Sequence, residues 1–133
     1  MNSRPAFKPE LLLPAGGMES VVAAVQNGAD AVYLGGRQFS ARQNAENFDE
    51  EALEQAVRYC KARGVKIYQT LNTLLFDNQF AEAKQAVRLA CRIGIDAFIV
   101  QDWGVVRLIW TIAPDMPVHG STQMSVHTPA GAR

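Results

Sequence analysis

A short phrase, Gly-x-Asp-Ala followed by apolar residues, occurs twice in this sequence, as GADAVYLGG from Gly28 and as GIDAFIVQD from Gly94. In each copy the glycine lies where an amphipathic helix pattern gives way to a short apolar run. Gly64 holds the same place before VKIYQTLN, so the three junctions are 36 and 30 residues apart. Repeats of this length are typical of successive βα units, because a strand, its crossover helix and two turns need about 30 residues. The phrase therefore predicts a parallel α/β fold.

Four βα units and a fifth strand follow one another along the chain. The predicted strands are apolar, are bounded by turn residues, and cover residues 10–17, 29–36, 65–72, 95–102 and 118–124. The predicted helices cover residues 18–27, 47–64, 78–94 and 103–113. The second helix is predicted to begin at Asn47 as its N-cap, with Glu50 completing a capping box. We interpret Asp30 and Asp96, at the amino ends of their strands, as turn residues that accept backbone N–H groups.

Two architectures contain such a repeat. A small doubly wound parallel sheet fits the length, but PAGGMES replaces the phosphate-binding pattern G-x-G-x-x-G after the first strand, and no helix follows the fifth strand to cover the sheet. A (β/α)8 barrel of the TIM type needs about 250 residues. We therefore expect residues 1–133 to form one incomplete domain, the N-terminal half of a (β/α)8 barrel, without a second domain. The doubly wound sheet is the alternative.

Composition and charge exclude several classes of function. Apolar residues make up 48% of the sequence and thirteen acidic residues balance thirteen basic ones, so nothing favours a general binder of duplex nucleic acid. No apolar run approaches the roughly 20 residues of a membrane helix, and residues 1–10 lack the apolar centre of a signal peptide. We expect a cytoplasmic protein that engages no membrane. Cys60 and Cys91 lack CxxC spacing and lie on apolar helix positions, so we predict no metal site.

Ligands of parallel α/β proteins bind at the carboxyl ends of the strands, so the residues there form the candidate site. The connection after the second strand, residues 36–46, is long, and its Arg37 and Arg42 suit carboxylate or phosphate groups. The other strand ends carry mainly uncharged polar residues, namely Asn72, Gln101, Asp102, Ser121, Thr122 and Gln123. Asp102 is the best acid or base among them, but an Asp at this position is equally typical of a helix N-cap.

Several stretches together resemble one known family. ELLLPAGGMESVVAAVQNGADAVYLGG, FSARQNAENF, GVKIYQTLNTLL, GIDAFIVQDWGVVRLI and HGSTQMSVH are similar, in order and spacing, to the opening of the collagenase-like peptidases, family U32. The resemblance covers residues 10–127 and implies a (β/α)8 barrel that continues beyond this chain. Some members are described as peptidases. Others hydroxylate a ribosomal or transfer RNA base or act in quinone hydroxylation, and several of these hold an iron–sulfur cluster on four cysteines.

The resemblance also implies roles for individual residues. Asn72 and Asp102 become candidate catalytic residues, and the candidate substrate-binding residues are Arg42, Asn47, Gln101, Ser121, Thr122 and Gln123, to which the long connection after the second strand adds Arg37. The cluster cysteines of the family would lie beyond the fifth strand, and Cys60 and Cys91 do not replace them. We therefore expect no cofactor within this chain, and an iron–sulfur cluster only in a longer protein.

Three functions follow as expectations. The chain is the N-terminal part of a collagenase-like peptidase acting on a peptide, or part of an iron–sulfur hydroxylase acting on an RNA base or a quinone precursor. Alternatively, it is an inactive half of a scaffold when it is isolated. Because the edges of a half barrel expose unpaired backbone groups, we expect it to need the remainder of the barrel or a second copy of itself.

Overall fold

The computed structural model describes residues 7–41 and 48–133. In this part of the chain, five strands form one parallel sheet in the order β1-β2-β3-β4-β5. Helices alternate with these strands along the sequence. The strands are β1 (Leu12–Pro14), β2 (Ala31–Gly35), β3 (Lys66–Leu71), β4 (Ala97–Val100) and β5 (Val118–Gly120). The helices are α1 (Met18–Gln26), α2 (Glu50–Lys61), α3 (Phe80–Ile93) and α4 (Trp103–Ile112), and 3₁₀ turns cover Asp77–Gln79 and Thr122–Met124.

The strand order distinguishes the two expected architectures. A doubly wound sheet reverses direction at a switch point, which places helices on both of its faces. Here each strand pairs with its predecessor in sequence, and all four pairings are parallel. Right-handed crossovers then place every helix on the same face, as in a (β/α)8 barrel. The half-barrel prediction is confirmed, and the doubly wound alternative is wrong.

The two faces of the sheet differ in composition. The helix-covered face carries Val32, Ile67 and Phe98, which are fully buried. Burial of each such side chain contributes about 1.5–3 kcal/mol to stability. The opposite face combines small residues such as Ala31 and Ala97 with larger polar ones, including a stack of the Tyr68 and His119 rings with centroids 5.0 Å apart. In a closed barrel this second face would form the interior.

The repeated Gly-x-Asp-Ala phrase forms the same contact twice. The Asp30 N–H donates to the Leu11 carbonyl at 2.9 Å, and the Leu11 N–H donates back to Asp30 Oδ2 at 2.8 Å. Asp96 and Ile67 make the same pair of bonds, at 2.9 and 2.8 Å. We call each pair of bonds a strand clamp. The carboxylates thus join neighbouring strands at their amino ends, whereas the sequence had suggested bonds within the local turn.

Helix α2 begins two residues later than predicted. Asp49 is its N-cap, because the Asp49 carboxylate accepts the Ala52 N–H at 2.8 Å while the Asp49 backbone is extended. The prediction of Asn47 as N-cap is therefore wrong, and Glu50 lies in the first turn of the helix instead of closing a capping box. Asn47 itself lies outside the described residues. Gly64 has a φ of 69°, in the left-handed region predicted for a residue after a helix end.

The fifth strand is shorter than predicted. Pairing ends at Gly120, and residues 122–124 form a 3₁₀ turn instead of extending the strand. The reason is local: Ser121 caps this turn through its side chain, which competes with continued strand pairing. Among residues 7–41 and 48–133, no helix has the length and apolar character needed to cross a bilayer.

Candidate functional site at the carboxyl ends of the strands

Parallel pairing brings most of the predicted site residues to one edge of the sheet. Asn72 directly follows β3, Gln101 and Asp102 follow β4, and Ser121 follows β5. We call this edge the rim, meaning residues 36–41, 72–75, 101–102 and 121–123. The rim corresponds to the end of a (β/α)8 barrel at which active sites are found.

The first part of the long connection after β2 is fastened to β3. The Thr70 hydroxyl donates to the Leu34 carbonyl at 3.3 Å. Because its proton is used there, Thr70 Oγ1 accepts the hydrogen bond from the Ser40 hydroxyl at 3.1 Å. Asn72 Oδ1 accepts the Ala41 N–H at 3.0 Å. Asn72 therefore has a visible positioning role: it holds the backbone of the connection at the rim.

A glycine makes the close approach of this connection possible. A Cβ atom at Gly35 would collide with Ser40 Oγ and would lie 2.8 Å from Ser40 Cβ. Sequence reasoning missed Ser40 and Thr70, both of which are buried. Side chains alternate between the two faces of a strand, so the sequence of β3 places Thr70 on the same face as Tyr68. This alternation could have identified Thr70 as a residue inside the barrel.

Arg37 lies at the outer side of the rim. Its Nη2 atom is 3.4 Å from Asp49 Oδ2, and both side chains remain largely exposed. Since Asp49 also caps α2, this ion pair directs Arg37 toward the helix layer. Arg42 and Asn47, the two other candidates in this connection, lie outside the described residues.

Asp102 uses both carboxylate oxygens in backbone contacts. Oδ1 accepts the Gly104 N–H at 2.6 Å and so caps α4, and Oδ2 accepts the Leu75 N–H at 3.1 Å. These bonds connect the start of α4 to the connection that follows β3. The geometry gives Asp102 a structural function, while its catalytic function stays a prediction.

The last group of candidates forms a small network beside β5. Ser121 donates its N–H to the Val100 carbonyl at 2.7 Å, and its hydroxyl accepts the Gln123 N–H at 3.4 Å. The Gln101 amide donates to the Gln123 carbonyl at 3.2 Å. Thr122 and the Gln123 side chain are exposed at this end of the sheet.

Three titratable groups outside the rim, Tyr68, Cys60 and Cys91, have shifted pKa values. Burial, together with a hydrogen bond to Glu10, raises the pKa of the Tyr68 hydroxyl, which donates to Glu10 Oε1 at 2.8 Å. Burial raises the pKa of the Cys60 thiol to about 11, and it also raises the pKa of Cys91. Because the thiolate is the form that binds metals, burial makes both cysteines poor ligands. Among the described residues, no three His, Cys, Asp or Glu side chains converge on a metal position.

Solved structures with the same fold include a member of a peptidase family. The U32 peptidase Mk0906 superposes with a TM-score of 0.73 over 99% of this chain and 58% of that chain, at 16% identity. At this level of identity the likeness concerns the fold alone. It agrees with the half-barrel architecture.

Two curated relatives match more closely in sequence. The tRNA hydroxylation protein P1 of Bacillus subtilis (strain 168) is 36% identical over 119 residues, which are 90% of this chain and 28% of that protein. The 23S rRNA 5-hydroxycytidine C2501 synthase of Escherichia coli (strain K12) is 40% identical over 119 residues, again 90% of this chain but 18% of that protein. The chain thus spans less than a third of the length of these relatives.

The family profile described as peptidase family U32 matches residues 16–133, nearly the whole chain. The match includes every strand end that forms the rim. It confirms the resemblance seen in the sequence motifs. The chain belongs to peptidase family U32.

Proposed function

We propose that this chain forms half of the mouth of a (β/α)8 enzyme that hydroxylates a base of transfer or ribosomal RNA in the cytoplasm. The observation that carries this proposal is the chemistry of the rim, which presents amide and hydroxyl side chains in place of a hydrolytic set. Amides and hydroxyls offer the donors and acceptors that recognise the edges of an unstacked base. The names of the two curated relatives support the same class of substrate.

Peptide hydrolysis has less support in this half of the barrel. A serine nucleophile needs a base within hydrogen-bond reach, and the Ser121 hydroxyl instead accepts a backbone N–H in a turn. The His119 ring is stacked on Tyr68. The described residues also show no group that could hold a catalytic metal.

Hydroxylation replaces a C–H bond by a C–O bond, so it needs an oxygen donor and an electron acceptor. A four-cysteine iron–sulfur cluster does not fit the residues described here, because this chain has two cysteines and Cys60 is fully buried with its pKa raised. We propose that any such cluster is carried by a further part of the full protein. The role assigned to this chain is to bind and orient the base.

The test is made in the organism that encodes the protein. The gene is deleted, transfer and ribosomal RNA are digested to nucleosides, and hydroxylated nucleosides are quantified by mass spectrometry. We expect one hydroxylated nucleoside to disappear and to return with the wild-type gene. A Gln101→Leu gene should restore less of it than the control Asp115→Asn, because Asp115 is exposed and away from the rim. If every hydroxylated nucleoside persists after deletion, the proposal is refuted.

We also propose that the uncovered surfaces of the half barrel are buried by the remaining strands of the barrel or by a second copy of this chain. Trp103 and Trp110 on α4 are 64% and 48% exposed and line an apolar groove beside β5. The 133-residue chain on its own should therefore self-associate and lack activity. Sedimentation velocity measures this directly, and a stable monomer that unfolds cooperatively would contradict the proposal.

A further inference from the structure

A cleft of about 720 Å³ opens in the helix layer, between α2 and α3. Helix α1 packs against α2, and α3 packs against α4. Between these two helix pairs, the Glu50 and Arg92 side chains meet at 3.1 Å across the surface. We call this opening the α2–α3 cleft. It lies on the outside of the barrel wall and shares Gly36, Arg37 and Gln38 with the outer side of the rim, but its role does not depend on the chemistry proposed there.

Four apolar side chains line part of the α2–α3 cleft. Phe48 and Leu53 line one side, and Ala86 and Leu89 on α3 line the other. Phe48 and Leu53 are almost completely buried, so the lower part of the wall is firmly packed. The remaining lining is mostly polar or charged, so the apolar side chains form one strip within a mixed cleft whose volume is in the range of small-molecule sites.

The inner wall of the cleft carries an unpaired acceptor. Gln69 lies on the helix-covered face of β3, is only 4% exposed, and its Oε1 atom receives no hydrogen bond from residues 7–41 or 48–133. An unpaired buried amide oxygen is unfavourable, and most such atoms in proteins have a partner. In the described part of the chain no hydrogen bond holds this oxygen, and the terminal torsion of a glutamine is soft, so rotation of the amide can present the oxygen to the cleft. Gly36 leaves room for the amide, since a Cβ atom there would lie 3.1 Å from Gln69 Nε2.

Arginines surround the mouth of the cleft. Arg37, Arg88 and Arg92 line it, together with the acidic residues Asp49, Glu50 and Glu82. Arg37 and Arg92 already pair with carboxylates in an exposed setting. Exposed pairs of this kind are weak, and a guanidinium binds phosphate readily through two parallel bonds.

We propose that the α2–α3 cleft binds an adenine nucleotide, with the ring against the apolar strip, the Gln69 amide on the adenine edge, and the phosphate at the arginines. A glutamine amide matches adenine in particular, because it accepts from the N6 amine and donates to N7. The nucleotide is either free or part of an RNA strand, and both carry the same groups.

The primary experiment is calorimetric titration of the full protein, which includes this chain, with AMP. Purine riboside 5′-monophosphate, which lacks only the N6 amine, should bind about tenfold more weakly than AMP, and adenosine should also bind weakly. Gln69→Met keeps the size of the side chain but removes the amide. This variant should weaken AMP binding by at least about tenfold, and it should weaken the binding of purine riboside 5′-monophosphate by less, because that ligand has only the N7 contact to lose.

Two matched variants test the phosphate contact. Arg88→Gln should weaken AMP binding and reduce its salt dependence, whereas Lys84→Gln, on the same helix but not lining the cleft, should have no effect. Thermal unfolding checks that Gln69→Met is folded, and it should be at least as stable as wild type because an unpaired polar group is removed.

The outcomes separate the alternatives. Equal binding of AMP to wild type and to folded Gln69→Met overturns the proposal, as does the absence of AMP binding to the wild-type chain. A pentaadenylate strand that competes with AMP and loses affinity in Gln69→Met assigns the site to RNA. AMP binding without such competition assigns it to free nucleotides.

Discussion

Asp102 offers the sharpest test of the geometry of the rim. Its two carboxylate oxygens accept the Gly104 N–H at 2.6 Å and the Leu75 N–H at 3.1 Å. In Asp102→Ala both N–H groups lose their acceptor. In Asp102→Asn the amide oxygen can still cap α4, but the amide nitrogen then faces the Leu75 N–H and cannot accept its proton.

The expected losses follow from these two bonds. Removal of an Asp N-cap costs about 1 kcal/mol. A hydrogen bond to a charged group contributes about 1.5–3 kcal/mol, and we take the lower value because Asp102 is only partly buried. We therefore expect Asp102→Ala to lower the free energy of unfolding by about 2–3 kcal/mol, and Asp102→Asn by about 1–2 kcal/mol.

Urea unfolding of the full protein, followed by circular dichroism, measures both values. Asp115→Ala is the matched control, because Asp115 is exposed after the end of α4. A loss below about 0.5 kcal/mol for Asp102→Ala, the size of an ordinary surface effect, would refute the assignment of these bonds. Asp102→Asn also tests catalysis. If Asp102 is an acid or base, this variant should lose its activity completely, whereas a purely structural Asp102 should leave it substantially active.

Three other contacts yield predictions of their own. The Asp30 carboxylate accepts the Leu11 N–H and pairs with Lys8, so its pKa lies below the usual value of 3.8. The carboxylate therefore stabilises the fold fully above pH 3.8, and this stabilisation is lost as the pH falls through the lowered pKa of the folded state. Urea unfolding along a pH series should show Asp30→Asn approaching wild type in acid, and a constant difference would contradict this. Gly35→Ala drives a methyl group into Ser40 and should cost about 1–3 kcal/mol in the same assay, and a neutral result would mean that the connection after β2 yields easily. Burial raises the pKa of Cys60 to about 11, so iodoacetamide should label it only as fast as the protein unfolds, and rapid labelling of the native protein would argue against its burial.

The architecture could be predicted because several independent signals agree. Gly28, Gly64 and Gly94 all adopt positive φ, and each lies two or three residues before a strand. Glycine adopts the left-handed conformation at the end of a helix without the steric cost that a Cβ atom would add. The spacing of these glycines therefore marks the βα period reliably. The apolar strands then require cover by helices, and this requirement leaves few possible topologies.

The details of the rim could not be predicted to the same extent. Both Asn47 and Asp49 are good caps for α2, and the choice between them depends on how far the preceding connection extends. The end of β5 is decided by one side-chain hydrogen bond at Ser121, which competes with the backbone bonds of the strand. The two arrangements differ little in free energy. Sequence periodicity gives the face on which Gln69 lies, but the missing partner of its amide oxygen depends on the surrounding packing.

The arrangement of the helix pairs has a mechanical consequence for the sheet. Strands β2 and β3 are paired over five residue positions, so the sheet is continuous where the helix layer is divided. A strand clamp joins β1 to β2 and another joins β3 to β4, and a packed helix pair covers each of these strand pairs. A change in the curvature of the sheet within either strand pair would therefore disturb these contacts. Between β2 and β3 the helix layer is already divided, so a change in the curvature of the sheet would act mainly on the Ser40–Thr70 and Ala41–Asn72 bonds that join these strands at the rim. Ser40, Thr70 and Asn72 are carried by these two strands, so the width of the barrel mouth at their position depends on how strongly the sheet is bent there.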